Sequence, residues 1–171
     1  KLSSGLATFV KKDIKINSNG SFFIYGKKNQ FNPKNKESMQ RNAQHVTLKT
    51  GDKNLTILNV HGLWTPTKLD TPSRIKQSKK IKNFLDKQKG SIILCGDFNL
   101  RTDTKSIKIL EENLRNLITE FNIKSTRSSH HTREDKFADY IFVSKEIEVL
   151  DFKVLNNHIS DHLPLYLEFS I

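Results

Sequence analysis

The sequence predicts an α+β fold in which two packed sheets are flanked by helices. Three observations predict it. Before Gly62, β-forming residues recur in short runs separated by turn residues. After Trp64, two stretches place apolar residues at helical spacing. The remaining strand-sized runs mix wholly apolar and alternating patterns, as layered sheets do. A chain of 171 residues, 35% hydrophobic and 27% charged, suits one globular domain over residues 1–171 with a real core.

Taken in order, Gly5 to Val10, Ile14 to Ile16 and Ser21 to Tyr25 read as hairpin-connected strands, with Asn17-Ser18-Asn19-Gly20 as a turn. Gly26 to Ser38 is polar, contains a proline and several asparagines and lysines, and reads as a loop. Gln44 to Lys49 and Leu55 to Val60 follow as strands around Gly51-Asp52. Thr71-Pro72 then supplies an N-cap and first-turn pair. Behind it Ile75, Ser78, Ile81, Phe84 and Leu85 form a helical stripe, with lysines opposite. A second helix is expected after Asp103, with Ile107, Leu110 and Leu114 inward. Ser91 to Gly96, Asp139 to Val143, Ile147 to Leu155 and Leu163 to Phe169 are the remaining strands, and no internal repeat or low-complexity segment interrupts them.

Composition limits the function classes. No apolar run reaches the eighteen or so residues that a membrane-crossing helix needs, so a soluble protein is expected. The single cysteine, Cys95, cannot form an intrachain disulfide and reads as a small buried hydrophobe, which fits a reducing compartment, with cytoplasm as the default. The chain opens at Lys1 and runs almost at once into strand-like sequence, so upstream sequence is expected and the question of a signal peptide stays open. A net charge of +11 and a pI near 9.7 favour approach to a polyanion such as nucleic acid. Equally, the lysines could simply solvate the surface, because Lys11-Lys12, Lys27-Lys28 and Lys79-Lys80 are scattered pairs rather than one stripe. A monomer is expected.

The chemistry-bearing residues lie where strands end. Ser91-Ile92-Ile93-Leu94-Cys95 stops at Gly96-Asp97-Phe98-Asn99, which puts Asp97 and Asn99, two residues apart, on one side of a departing strand. A carboxylate and a carboxamide so placed can hold a water and donate to a phosphate oxygen, or they can only shape a turn. In Ser160-Asp161-His162-Leu163-Pro164, an adjacent Asp and His can serve a hard cation and a phosphate respectively. Asp139 opens an apolar strand and could orient a histidine ring or form an edge ion pair. His61 ends the strand that carries Asn59, where a purely structural histidine is the ordinary reading.

Together these segments resemble the endonuclease/exonuclease/phosphatase superfamily, the DNase I-like fold. Asn59-Val60-His61, Gly96-Asp97-Phe98-Asn99, Asp139-Tyr140 and Ser160-Asp161-His162-Leu163-Pro164 carry the resemblance, which extends from Gly5 onward. It implies a two-layer β-sandwich flanked by helices, an α/β/β/α four-layer arrangement, here missing its first strands. It also implies a divalent-metal-dependent phosphodiester hydrolase using Mg²⁺, with Mn²⁺ able to substitute. In that scheme Asp97 orients or deprotonates water, Asn99 binds phosphate and Asp161 serves the metal. His162, oriented by Asp139, stabilises charge or acts as acid, and His61 contacts phosphate on the leaving-group side. The family's metal-site Asn and Glu on the first strands have no counterpart after Lys1, and Glu37, in a polar loop, is no substitute.

Two further features bear on substrate. Thr126-Arg127-Ser128-Ser129-His130-His131-Thr132-Arg133 is a basic, hydroxyl-rich loop that offers Arg127 and Arg133 to phosphate, unless it is merely exposed. Arg74 opposes the dipole of its helix, so a compensating carboxylate is expected, with substrate contact as the alternative. A nuclease acting on DNA or RNA is the leading expectation. A phosphoesterase for an inositol phosphate or sphingomyelin type of substrate, and a non-catalytic binding module, are the alternatives.

Overall fold

Alternating burial begins in the first strand and sets the frame for the rest. The structure is a computed structural model that describes residues 5–29, 31–32, 34–35 and 39–171. Strands β1 (Ile16–Tyr25), β2 (Arg41–Thr50) and β3 (Lys53–His61) form an antiparallel meander, and β3 then pairs in parallel with β4 (Ser91–Asp97). A parallel neighbour needs a crossover, and α1 (Pro72–Leu85) supplies it. Helix α2 (Lys105–Glu111) packs beside α1; β5 (Leu114–Asn116) and the short α3 (Leu117–Glu120) follow. Strand β6 (Asp139–Ser144) inserts antiparallel between β4 and β5, giving a six-stranded sheet in the order β1-β2-β3-β4-β6-β5. Strands β7 (Glu148–Val154) and β8 (Leu165–Ser170) pair with each other as a second sheet that touches β6.

The sequence explains these elements locally. Thr71 caps α1 by accepting from the Arg74 backbone N–H, with Pro72 in the first turn, and Ser78, Ile81 and Leu85 are its buried stripe. Thr104 caps α2 in the same way through Ile107. Strand β6 runs buried from Tyr140 to Ser144, which requires layers on both faces. Phe98, Tyr140 and Phe142, all 0% exposed, pack edge-to-face and stacked, while the Tyr140 hydroxyl donates to Leu100 O at 2.7 Å.

Several expected elements differ. Gly5 to Val10 forms no ladder; it lies along the sheet by side-chain bonds, Thr8 to Gln44 and Asn59 to Ala7 O, with Val10 against the core. The expected turn at Asn17 to Gly20 is strand interior, because β2 is continuous opposite it and a register shift between Ile16 and Ser18 absorbs the irregularity. Gly20 stands where the His45 side chain crosses, 2.8 Å from where a Cβ would be. Leu114 starts β5 rather than extending α2, and β8 begins at Leu165, not Leu163. Glu37 lies outside the described residues.

Two glycines let β3 and β4 end in backbone contact. Gly96, at φ 129°, has no room for a Cβ against Val60 O, and a Cβ on Gly62 would stand 2.5 Å from Phe98 O. Gly62 N donates to Asp97 O at 2.6 Å, which holds His61 beside Asp97. By contrast Gly51, at φ 59°, faces open space. In urea unfolding, Gly51→Ala should therefore lose about 1 kcal/mol, the strain of an L side chain in the left-handed region. Gly96→Ala should lose clearly more, because the new methyl also meets a carbonyl. Equal losses would contradict the close approach of the two strands.

Candidate active site

The ends of β3, β4 and β6 converge on a polar cleft of about 440 Å³. Asp97 and Asp139 are direct partners across the β4–β6 ladder, Asp97 facing the cleft and Asp139 set behind His162. Burial pushes the Asp97 pKa above the usual carboxylate range, against the pull of His162, Lys68 and Arg127. Burial raises Asp139 as well; its hydrogen bond to His162 opposes the rise and the Asp97 charge adds to it.

His162 is held between these acids. Its Nδ1 lies 2.7 Å from Asp139 Oδ2, and its Nε2 lies 4.0 Å from Asp97 Oδ2. Arg127 donates to Nε2 (2.5 Å) and to Asp161 Oδ2 (3.1 Å), which fixes the tautomer with the proton on Nδ1. The hydrogen bond that Nδ1–H donates to Asp139 nevertheless outweighs burial and Arg127, and the His162 pKa is raised.

Asn99 is 2% exposed and adopts a positive φ of 55°, which a short amide tolerates. Its N–H donates to Asp97 Oδ1 (2.8 Å), and its Oδ1 accepts from Lys68 Nζ (2.5 Å). His61 Nε2 lies 3.6 Å from Asp97 Oδ2. Although 46% of that side chain is exposed, burial, Arg41 and His162 lower its pKa to about 4, so His61 is neutral at pH 7. Asp161, half exposed, is kept ionised: burial pushes its pKa up, but His162 and Arg127 outweigh that and lower it.

The basic loop folds over the cleft. Its backbone zips onto the loop before β8 through Ser128 N to Asp161 O (3.2 Å) and Leu163 N to Thr126 O (2.9 Å), with Ser128 Oγ donating to Ser160 O (2.6 Å). Thr126 Oγ1 accepts from the Ala138 and Asp139 N–H groups, tying the loop to β6. Arg127 thus becomes a cleft residue only 6% exposed, and exposed Arg133 stands over the Trp64 ring. His131 lies between Asp135 and Asp161, at 3.4 and 3.6 Å.

His61, Asp97, Asn99, Asp161, His162, Arg127 and Arg133 line this one cleft, with Asp139 behind His162. Arg74 does not join them. Its guanidinium is 0% exposed and donates to the carbonyls of Leu63, Thr67, Leu69 and Asn99, so substrate contact is replaced by a structural role under the cleft floor. The sequence does not single out Lys68, Arg41 or Trp64. Lys68 and Arg41 stand among many lysines and polar residues, and only their burial beside Asp97 distinguishes them.

A hard divalent cation takes oxygen ligands, and the cleft offers two ionisable carboxylates, Asp97 and Asp161. Asp97, Asp139 and His162 also present ligand atoms within 4.8 Å of one another. The buried Asp97–Asp139 repulsion is what a cation would relieve, so the donor set fits such an ion in part, with water and phosphate oxygens completing an octahedral shell. No helix among the described residues is long and apolar enough to cross a membrane.

Comparison with known proteins gives a consistent picture. The sequence pattern described as the Endonuclease/Exonuclease/phosphatase family matches residues 1–162. Among solved structures, a functionally unknown conserved protein from Enterococcus faecalis V583 is similar at 20% identity and TM-score 0.72, over 92% of this chain and 67% of that one. A mannosyl-6-phosphatase from Bacteroides thetaiotaomicron VPI-5482 is similar at 16% and 0.68, over 92% and 67%. The D. rerio TDP2 complexed with single strand DNA product is similar at 14% and 0.67, over 92% and 69%. The chain therefore spans about two thirds of these proteins, and at such identities the likeness is one of fold. No curated protein matches the chain by sequence.

The raised His162 pKa rests first on Asp139. In Asp139→Asn burial and Arg127, which lower it, outweigh the smaller raising pull of Asp97, so an NMR titration of the imidazole should show the His162 midpoint falling. The stabilisation from a raised histidine pKa is full below the unfolded value of about 6.5 and is lost as pH rises through the folded one. The wild-type advantage over Asp139→Asn should accordingly shrink in mildly alkaline buffer. An unchanged midpoint would show that Asp139 is not the controlling partner.

Proposed function

The chain belongs to the Endonuclease/Exonuclease/phosphatase family, and from that premise we propose a divalent-metal-dependent phosphodiester hydrolase whose substrate is DNA or RNA. Its α+β architecture, a large central sheet with few helices, is DNase I-like. The observation that carries the proposal is His162, bonded to Asp139 on one ring nitrogen and facing Asp97 across 4.0 Å with the other, in a cleft walled by Lys68 and Arg127.

In this reading Asp97 orients and deprotonates the attacking water, and its raised pKa makes it a stronger base than an ordinary carboxylate. Lys68 polarises Asn99, whose amide donates to a phosphate oxygen. Arg127 gives up the His162 Nε2 for the better-accepting phosphate, leaving Nε2 free to take a proton and meet the developing charge. Neutral His61 donates a hydrogen bond on the leaving-group side. Asp161 would hold Mg²⁺ or Mn²⁺, which would supply positive charge to the phosphate oxygens and leave Asp97 as the base.

The +11 charge supports nucleic acid as substrate, as does the likeness of fold to a protein solved with single strand DNA. A small phosphate ester is the second reading, favoured by a cleft of about 440 Å³ and by the likeness to a mannosyl-6-phosphatase.

With the full-length protein and Mg²⁺, single-stranded DNA or RNA should be cleaved, and Asp97→Ala and His162→Ala should each lose about 10²- to 10⁴-fold in rate. Hydrolysis of a sugar phosphate without cleavage of nucleic acid would favour the second reading. Binding of nucleic acid without turnover, unchanged in Asp97→Ala, would point to a binding module.

A further inference from the structure

The roles above leave Trp64 unused. It follows β3, borders the cleft and is partly exposed, and Arg133 of the basic loop stands over its ring, with the guanidinium carbon 5.8 Å from the ring centroid. Apart from histidines it is the one aromatic side chain among the described residues that line the cleft, and none of the lining side chains is aliphatic. An acyl chain therefore has no apolar wall to lie on. A flat, π-bearing group does: the indole face already holds a planar cation, and that cation belongs to an exposed arginine that can yield its place. Lys68 and Arg127 line the same cleft, so a phosphate attached to a ring stacked on Trp64 would have cations there to meet it.

We infer that Trp64, flanked by Arg133, is a stacking subsite for an unpaired nucleobase attached to the phosphate that is cleaved. This rests on the phosphodiesterase reading and narrows it: the substrate is single-stranded nucleic acid or a nucleotide, because a base inside a duplex is already stacked on its neighbours. Stacking on an aromatic side chain tolerates any base, since every base has a π face, so the subsite selects strandedness rather than sequence. Arg133, released from the indole, pairs with backbone phosphate.

Two measurements on the full-length protein test this. In the first, without metal, affinities are measured by titration calorimetry in the wild type, Trp64→Ala and Trp64→Phe. In the wild type, emission attributable to Trp64 is also followed by subtracting the Trp64→Phe signal. Adenosine 5′-monophosphate should quench it and bind about ten- to a hundredfold more tightly than ribose 5-phosphate. Trp64→Ala should bring the two affinities together, while Trp64→Phe keeps most of the difference. Equal affinities in the wild type, or a difference that survives Trp64→Ala, would overturn the inference. The second compares Mg²⁺-dependent cleavage of a single strand with the same strand made abasic. Faster cleavage of the intact strand supports the subsite. Equal rates overturn it while leaving the hydrolase reading intact. Nucleotide quenching with neither strand cleaved would keep the subsite and remove the hydrolase.

Discussion

Asp97 and Asp139 are placed opposite one another across the β4–β6 ladder, both largely buried, and like charges in that relation repel. The surroundings answer this repulsion group by group. His162 bonds to one acid and faces the other, Lys68 and Arg127 come in from the sides, and Arg41 approaches from β2. A sheet end that would otherwise be unfavourable becomes a concentrated field, in which each proton position depends on its neighbours. That dependence is the raw material for acid–base chemistry on an anionic ester.

Backbone contacts keep the field in place. Gly62 and Gly96 allow β3 and β4 to end in register, so His61 lies beside Asp97. Arg74, buried under the floor, gathers carbonyls from the segment after β3 and from Asn99, joining the stretch that carries Lys68 to the turn that carries Asn99. On the far side, Thr126 ties the basic loop to β6, and that loop is zipped to the one bearing Asp161 and His162. Segments distant in sequence are thus fixed by bonds between main-chain groups and from side chains to the main chain, and flexible side chains such as Arg127 are given defined partners.

Much of this was legible in the sequence, for identifiable reasons. The strand ends at Asp97, Asp139 and His61 could be read because an apolar run begins or stops abruptly at a polar residue, and α1 because Thr71-Pro72 precedes a clean helical stripe. Where pairing partners decide, local pattern failed. Asn17 to Gly20 looks like a turn but is straightened by β2, and Gly5 to Val10 looks like a strand but finds no ladder. Leu114 fits the helical spacing of α2, yet β6 draws it into a strand. Lys68 and Arg41 were opaque for a different reason: the sequence holds many cations, and only the fold tells which are buried beside carboxylates and which face solvent.

In the proposed reaction Asp139 and His162 act as one unit on the phosphate held against Asp97. This coupling is tested most directly by a double-mutant cycle in the full-length protein, measuring Mg²⁺-dependent phosphodiester hydrolysis for Asp139→Asn, His162→Ala and the pair together. Residues that act as a unit are strongly non-additive, so the double variant should be no slower than His162→Ala alone. Losses that multiply would mean that the two side chains work independently, and the account of the site would fall with that result.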